Sequence, residues 1–218
     1  MHLIVISGID GSGKTTLIKN LHSYFRNNLE KNTSTFWGKI DDPFLDILIR
    51  NFDKNRNKLN NSKEEYNFRY EKKQSLIRYK PIKKLFVYYL CLSYFVRMAK
   101  IFALVRRNRN EVVLADRYIL DTIVDICYDT KTNIQDLRIP IKLLRKILPK
   151  TNKMIFLNAS PEITFHRKSD VQDINLLFTK NRIYEKILSN FKYKIINVNQ
   201  KNAAEIYEIV KNGIIKTT

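Results

Sequence analysis

Residues 2–15, HLIVISGIDGSGKT, decide the fold. The first six are a short apolar run rich in β-branched side chains, the composition of a buried strand. Gly8–Thr15 then fits G-x-x-x-x-G-K-[ST] without exception. From Lys14 onward, Leu17, Leu21, Tyr24 and Phe25 recur on one helical face. Strand, glycine-rich turn and helix in that order make a cradle for a phosphate chain. The glycines let successive N–H groups turn inward, and the helix start adds the positive end of its macrodipole. Lys14 is placed to reach β- and γ-phosphates, and the Thr15 hydroxyl to ligate Mg2+. A chance glycine-rich turn would not arrive in this context with every motif position filled.

Four more apolar runs follow, at Ser34–Trp37, Glu111–Asp116, Lys153–Asn158 and Tyr193–Val198. None alternates cleanly, so both faces of each strand are expected to be covered. Helical patterns separate them, at Lys14–Leu29, Pro43–Phe52, Glu64–Tyr79, Pro140–Leu148, after Pro161, Ile174–Phe191 and Ala203–Ile214. This alternation predicts parallel βαβ units, hence an α/β fold: a three-layer α/β/α sandwich on a five-stranded parallel sheet. Asp53–Ser62 reads as a polar surface loop.

At 218 residues and 44% hydrophobic content the chain can build one substantial core, and intrinsic disorder is excluded as its general state. Cys91 and Cys127 cannot make a disulfide framework, and no secretory signal is apparent, so a cytoplasmic protein is expected. The net charge of +19 would attract nucleic acid, anionic membrane or small polyanions. A coding bias toward Lys, Asn and Ile accounts for it equally well. Ile82–Val105 is strongly apolar, but its uninterrupted core, Leu85–Val96, ends at Arg97 and Lys100 and is too short to cross a bilayer. A helix apolar on nearly every side is expected to be buried on nearly every side, within its own monomer or against a second subunit.

Two further clusters carry chemistry. Asp116-Arg117-Tyr118 follows the strand EVVLA, where α/β sheets hold ligands. There Asp116 can hold Mg2+ and Arg117 can bridge phosphoryl groups. In Pro161–Asp173, Arg167 closes a short helix and can neutralise charge that develops during transfer, whereas Lys168 fits a solvated helix end. His2, His22, His166 and the two cysteines have no metal-ligand spacing.

GIDGSGKTT, VVLADRY and FLNASPEITFHRK, in this order and spacing, resemble the thymidylate kinase family. The resemblance implies a single P-loop NTPase domain over residues 1–218, with a helical insertion near 62–107 and a lid near 166–175. It implies a homodimer that transfers the γ-phosphoryl of ATP, with Mg2+, to dTMP. On that basis Gly8, Ile9, Asp10, Gly11, Ser12, Gly13, Lys14, Thr15 and Thr16 would bind the donor. Thr15 and Asp116 would serve the metal, and Lys14, Arg117, Arg167 and Asp10 would be catalytic. Asp10, Arg97, Arg117, Tyr118 and Asp121 would meet the acceptor. With Gly11 in place of an arginine in the loop, Arg167 would be the catalytic arginine of the lid. The family's Arg-Glu-Pro is here Phe36-Trp37-Gly38-Lys39, and its Ser and Ala-Tyr-Gln after DRY are replaced by a run containing Asp121 and Asp125. These departures all lie on the acceptor side, so another nucleotide or a phosphorylated metabolite stands as an alternative acceptor. A nucleic-acid-associated ATPase is a further alternative. Neither a membrane nor a nucleic-acid partner is expected.

Overall fold

The computed structural model describes residues 1–39, 71, 74, 75, 77–109, 111–167 and 173–215. The helix expected at Pro43–Phe52 and the loop Asp53–Ser62 lie outside the described residues, as do most of 64–79, Lys168 and residues 169–172 of the expected lid. Strands β1 (His2–Ser7), β2 (Thr33–Trp37), β3 (Val112–Asp116), β4 (Lys153–Asn158) and β5 (Lys194–Asn197) form one sheet in the order β2-β3-β1-β4-β5. All pairings are parallel, with β1 central between β3 and β4. Consecutive residues Leu3, Ile4, Val5 and Ile6 are each at most 3% exposed, so both faces of β1 are covered, as are those of β3.

The helices are α1 (Lys14–Asn27), α2 (Lys80–Arg107), α3 (Ile119–Thr130), α4 (Arg138–Ile147), α5 (Pro161–Arg167), α6 (Ile174–Leu188) and α7 (Ala203–Ile215). Helices α1 and α7 pack together, while α3 packs against α2, α4 and α6. With a parallel sheet between covering helices, this is the three-layer α/β/α sandwich expected from the sequence. The register aligns Ile6 with Asp116, and Asp116 with Trp37. The loop after β1, the turn after β3 and the end of β2 therefore meet at the C-terminal end of the parallel strands.

Two elements differ from the sequence expectation. Helix α3 has a regular apolar row, Ile119, Leu120, Ile123, Val124 and Cys127, yet ten of its twelve residues are buried, so its polar face is covered as well. Its buried set includes the polar side chains of Asp121, Thr122 and Asp125, which an apolar count overlooks. Helix α2 is not buried all round. Val87, Leu90, Tyr94, Met98 and Phe102 face the core, whereas Leu85, Leu92 and Leu104 are 71%, 61% and 58% exposed. By length and composition alone α2 would pass for a membrane span. Its inward row nevertheless belongs to the same core as β1 and β3.

Candidate active site

The site begins with the backbone of the loop after β1. Gly8 has φ +148°, and a Cβ there would lie 2.6 Å from the Leu157 carbonyl. Gly11 has φ +84°, and its Cβ would lie 2.7 Å from the Thr164 carbonyl in α5. Glycine at these positions lets the loop close against β4 and α5. Lys14, 5% exposed, donates from Nζ to the Ile9 carbonyl at 2.7 Å, which curls its side chain over the loop.

Beneath the loop lies a fully buried carboxylate, Asp121. Its Oδ2 accepts from the Ser7 hydroxyl at 2.6 Å and from the Tyr118 N–H at 3.1 Å. Its Oδ1 accepts from the Tyr184 hydroxyl at 2.7 Å and, at 3.4 Å, from the Gly8 N–H. Burial raises its pKa, opposed by Arg117 and by the Ser7 hydrogen bond. Burial likewise lowers the pKa of Lys14 to about 8, helped by Arg117 and opposed by Asp10.

The turn after β3 supplies the other wall. Thr15 donates its hydroxyl to Asp116 Oδ2 at 2.7 Å. Asp116 Oδ1 is buried and has no hydrogen-bond partner among the described residues. An unmatched carboxylate oxygen beside a threonine hydroxyl is the donor chemistry of a hard divalent cation, so Mg2+ fits this pair. Arg117 adopts φ +76°, a costly backbone for a side chain of its size, and forms an ion pair with Asp10 across the turn. Burial disfavours its charge, but Asp10 and then Asp125 outweigh that and hold its pKa above the ordinary value. A second, partly buried pair, Asp125–Lys180, joins α3 to α6. Burial alone would raise the Asp125 pKa, yet Lys180 and Arg117 hold it below the usual carboxylate value.

These groups line a cleft of about 710 Å³. Asp10, Gly11, Ser12, Gly13, Lys14, Thr15, Thr16, Asp116, Arg117 and Arg167 all face it. Ile9, 2% exposed, and Gly8 lie underneath. Three expected acceptor contacts stand elsewhere. Asp121 is the buried anchor just described, spent on protein donors. Tyr118 turns its hydroxyl away to the Pro149 carbonyl at 3.1 Å. Arg97 donates to the Trp37 carbonyl at 3.3 Å and does not line the cleft.

Sequence reasoning missed Trp37, 48% exposed at the end of β2, and Lys201, Asn202, Ala203 and Ile206 at the start of α7. The only available signals were an aromatic side chain at a strand's end and the Asn202/Glu205 pair, which caps α7 reciprocally.

No family model and no curated protein matches the chain. Among solved structures its fold is similar to that of deoxyadenosine kinase from M. mycoides with bound dATP, at TM-score 0.59 and 13% identity, covering 98% of this chain and 99% of the other. It is also similar to thymidylate kinase from Candida albicans, at TM-score 0.58 and 16% identity, covering 99% and 91%. At such identities the likeness is one of fold.

Two outcomes follow from the loop's geometry. Binding of a polyphosphate returns Lys14 to its charged form, so the complex takes up a proton wherever the free protein holds the amine neutral, above pH 8. Calorimetry of MgATP at about pH 9, in buffers of different ionisation enthalpy, should show uptake approaching one proton. Uptake should vanish near pH 6.5, about 1.5 units below the Lys14 value, and in Lys14→Met. Gly11→Ala should cost about 1–3 kcal/mol in urea unfolding, from backbone strain and the clash with α5. An unchanged midpoint would contradict the close approach to Thr164.

Proposed function

We propose that the chain is a nucleoside monophosphate kinase that moves the γ-phosphoryl of MgATP in line onto dTMP, yielding dTDP and ADP. The observation that carries this reading is Arg117, a buried and permanently charged guanidinium held on Asp10, sharing one cleft with Lys14 and Thr15. A triphosphate tail on the loop and an acceptor phosphate on Arg117 would face each other across that cleft. Such an acceptor is already ionised near neutral pH, so alignment and charge neutralisation suffice. Lys14 would follow the γ-phosphoryl, Arg117 would fix the acceptor oxygens, and Arg167 would approach from the end of α5. Thr15 and Asp116 would hold Mg2+, which when bound neutralises charge on the β- and γ-phosphate oxygens. The fold's likeness to a thymidylate kinase supports the reading.

The departures at Phe36–Lys39 and after Tyr118 leave a second reading, in which the acceptor is another nucleotide or a phosphorylated metabolite. The deoxyadenosine kinase neighbour adds nucleosides to the candidates. A nucleoside acceptor would need a base for its hydroxyl, and Asp10 is occupied by Arg117. The proposal includes a cytoplasmic protein and a homodimer seated along the outer row of α2, around Leu92, Val96 and Leu104. Sedimentation velocity showing a monomer at micromolar concentration would remove the dimer.

A coupled assay of ADP release, run over nucleoside monophosphates and free nucleosides, tests the assignment directly. Turnover should be fastest with dTMP. Lys14→Ala should reduce kcat about 10²–10³-fold with the fold intact by circular dichroism. Arg117→Ala should damage acceptor KM and kcat together; a change confined to ATP would contradict its role. Trp37 is the chain's only tryptophan. Acceptor binding should therefore change intrinsic fluorescence, and a silent signal under saturating acceptor would argue against this cleft as the site.

A further inference from the structure

Helix α4 buries Pro140 and Leu144 and presents two outward rows at four-residue spacing. One row is apolar: Ile139, Leu143 and Ile147 are 71%, 57% and 46% exposed. The other is cationic: Arg138, Lys142 and Lys146, all exposed. Helix α2 packs against α4. Its first turns add Ile82, Leu85 and Tyr88, which are 47%, 71% and 40% exposed, beside Lys80 and Lys84. A groove of about 570 Å³ joins the two helices and is lined by Lys84, Tyr88, Lys131 and Ile139 among others. Residues 80–107 and 131–150 together hold thirteen Lys and Arg and one acid, Asp136.

We infer that this face docks the protein peripherally on an anionic lipid bilayer. Charge complementarity selects the occupant. A second copy seated on α4, away from the outer row around Leu92 and Val96, would press the Arg138, Lys142 and Lys146 row against its own equivalent. A nucleic acid would satisfy the cations but leave the aliphatic row against phosphates and water. Anionic headgroups meet the cations at the depth where Ile139, Leu143 and Leu85 reach the acyl boundary. The contact is superficial, because the inward row of α2 is part of the protein core. No residue lining the phosphate cleft belongs to α2 or α4, so docking leaves the cleft open to the aqueous side. The sequence expectation of no membrane partner had only the global charge and a bilayer crossing to weigh, not the pairing of an apolar with a cationic row on one face. The inference is independent of the proposed reaction.

The test is co-sedimentation of the full chain with phosphatidylcholine vesicles, with and without phosphatidylglycerol. Binding is expected only with phosphatidylglycerol, and it should weaken as salt rises. Two double variants, Ile139→Ser with Leu143→Ser and Arg138→Glu with Lys142→Glu, should each lower partitioning about tenfold or more. MgATP affinity and circular dichroism should stay unchanged. Failure to bind anionic vesicles at low salt overturns the inference, as does equal binding to neutral ones. So does a change of oligomeric state in the serine variant, which would give the face to a second copy. Duplex DNA that displaces the protein from vesicles while binding the serine variant at full strength would assign the face to nucleic acid instead.

Discussion

A loop that points its amides at one spot cannot satisfy them on itself, so something beneath it must fix its shape. In this protein that support is Asp121, whose two oxygens accept from Ser7, Gly8, Tyr118 and Tyr184. One carboxylate thus ties the end of β1, the start of α3 and the middle of α6 to a single point. A buried acid is tolerable only because donors surround it and cations lie near. Tyr193 extends the same network, its hydroxyl lying 3.2 Å from that of Ser7.

The second constraint is the density of charge. Lys14, Arg117 and Lys180 converge with Asp10, Asp116 and Asp125 in and behind one cleft. Each of these cations is compensated locally: Arg117 by Asp10, Lys180 by Asp125, and Lys14 by a carbonyl. An incoming polyanion therefore exchanges partners with groups that are already ordered, which keeps its cost of organisation low.

The phosphate loop, the sheet and the turn after β3 were legible because each has a local signature: β-branched runs, a spaced glycine motif, and an acid-arginine pair at a strand's end. The environment of helix α3 was not, since its polar positions Asp121, Thr122 and Asp125 resemble a solvated face in one dimension although all three are buried. Asp121 was for the same reason assigned to the acceptor, when its partners come from Ser7, Tyr118 and Tyr184, which no local pattern groups together. Helix α2 was half legible: uniform apolarity pointed to burial within the monomer or against a second subunit, and the fold covers one of its rows. The Trp37 and Lys201 walls of the cleft arise from the parallel arrangement of the sheet, which brings the C-terminal ends of the two edge strands β2 and β5 to the same end as that of β1.

Gly38 follows the edge strand β2 and donates its N–H to the Asp116 carbonyl at 2.8 Å. A side chain there would collide with the Arg117 carbonyl. Neighbouring codons thus face opposite selective regimes. Position 37 is free to explore new shapes against whatever the cleft receives, while position 38 is locked by the peptide of the arginine beside it. Divergent descendants of this protein would be expected to vary their ligand preference through the first and to keep the second as a fixed hinge pin.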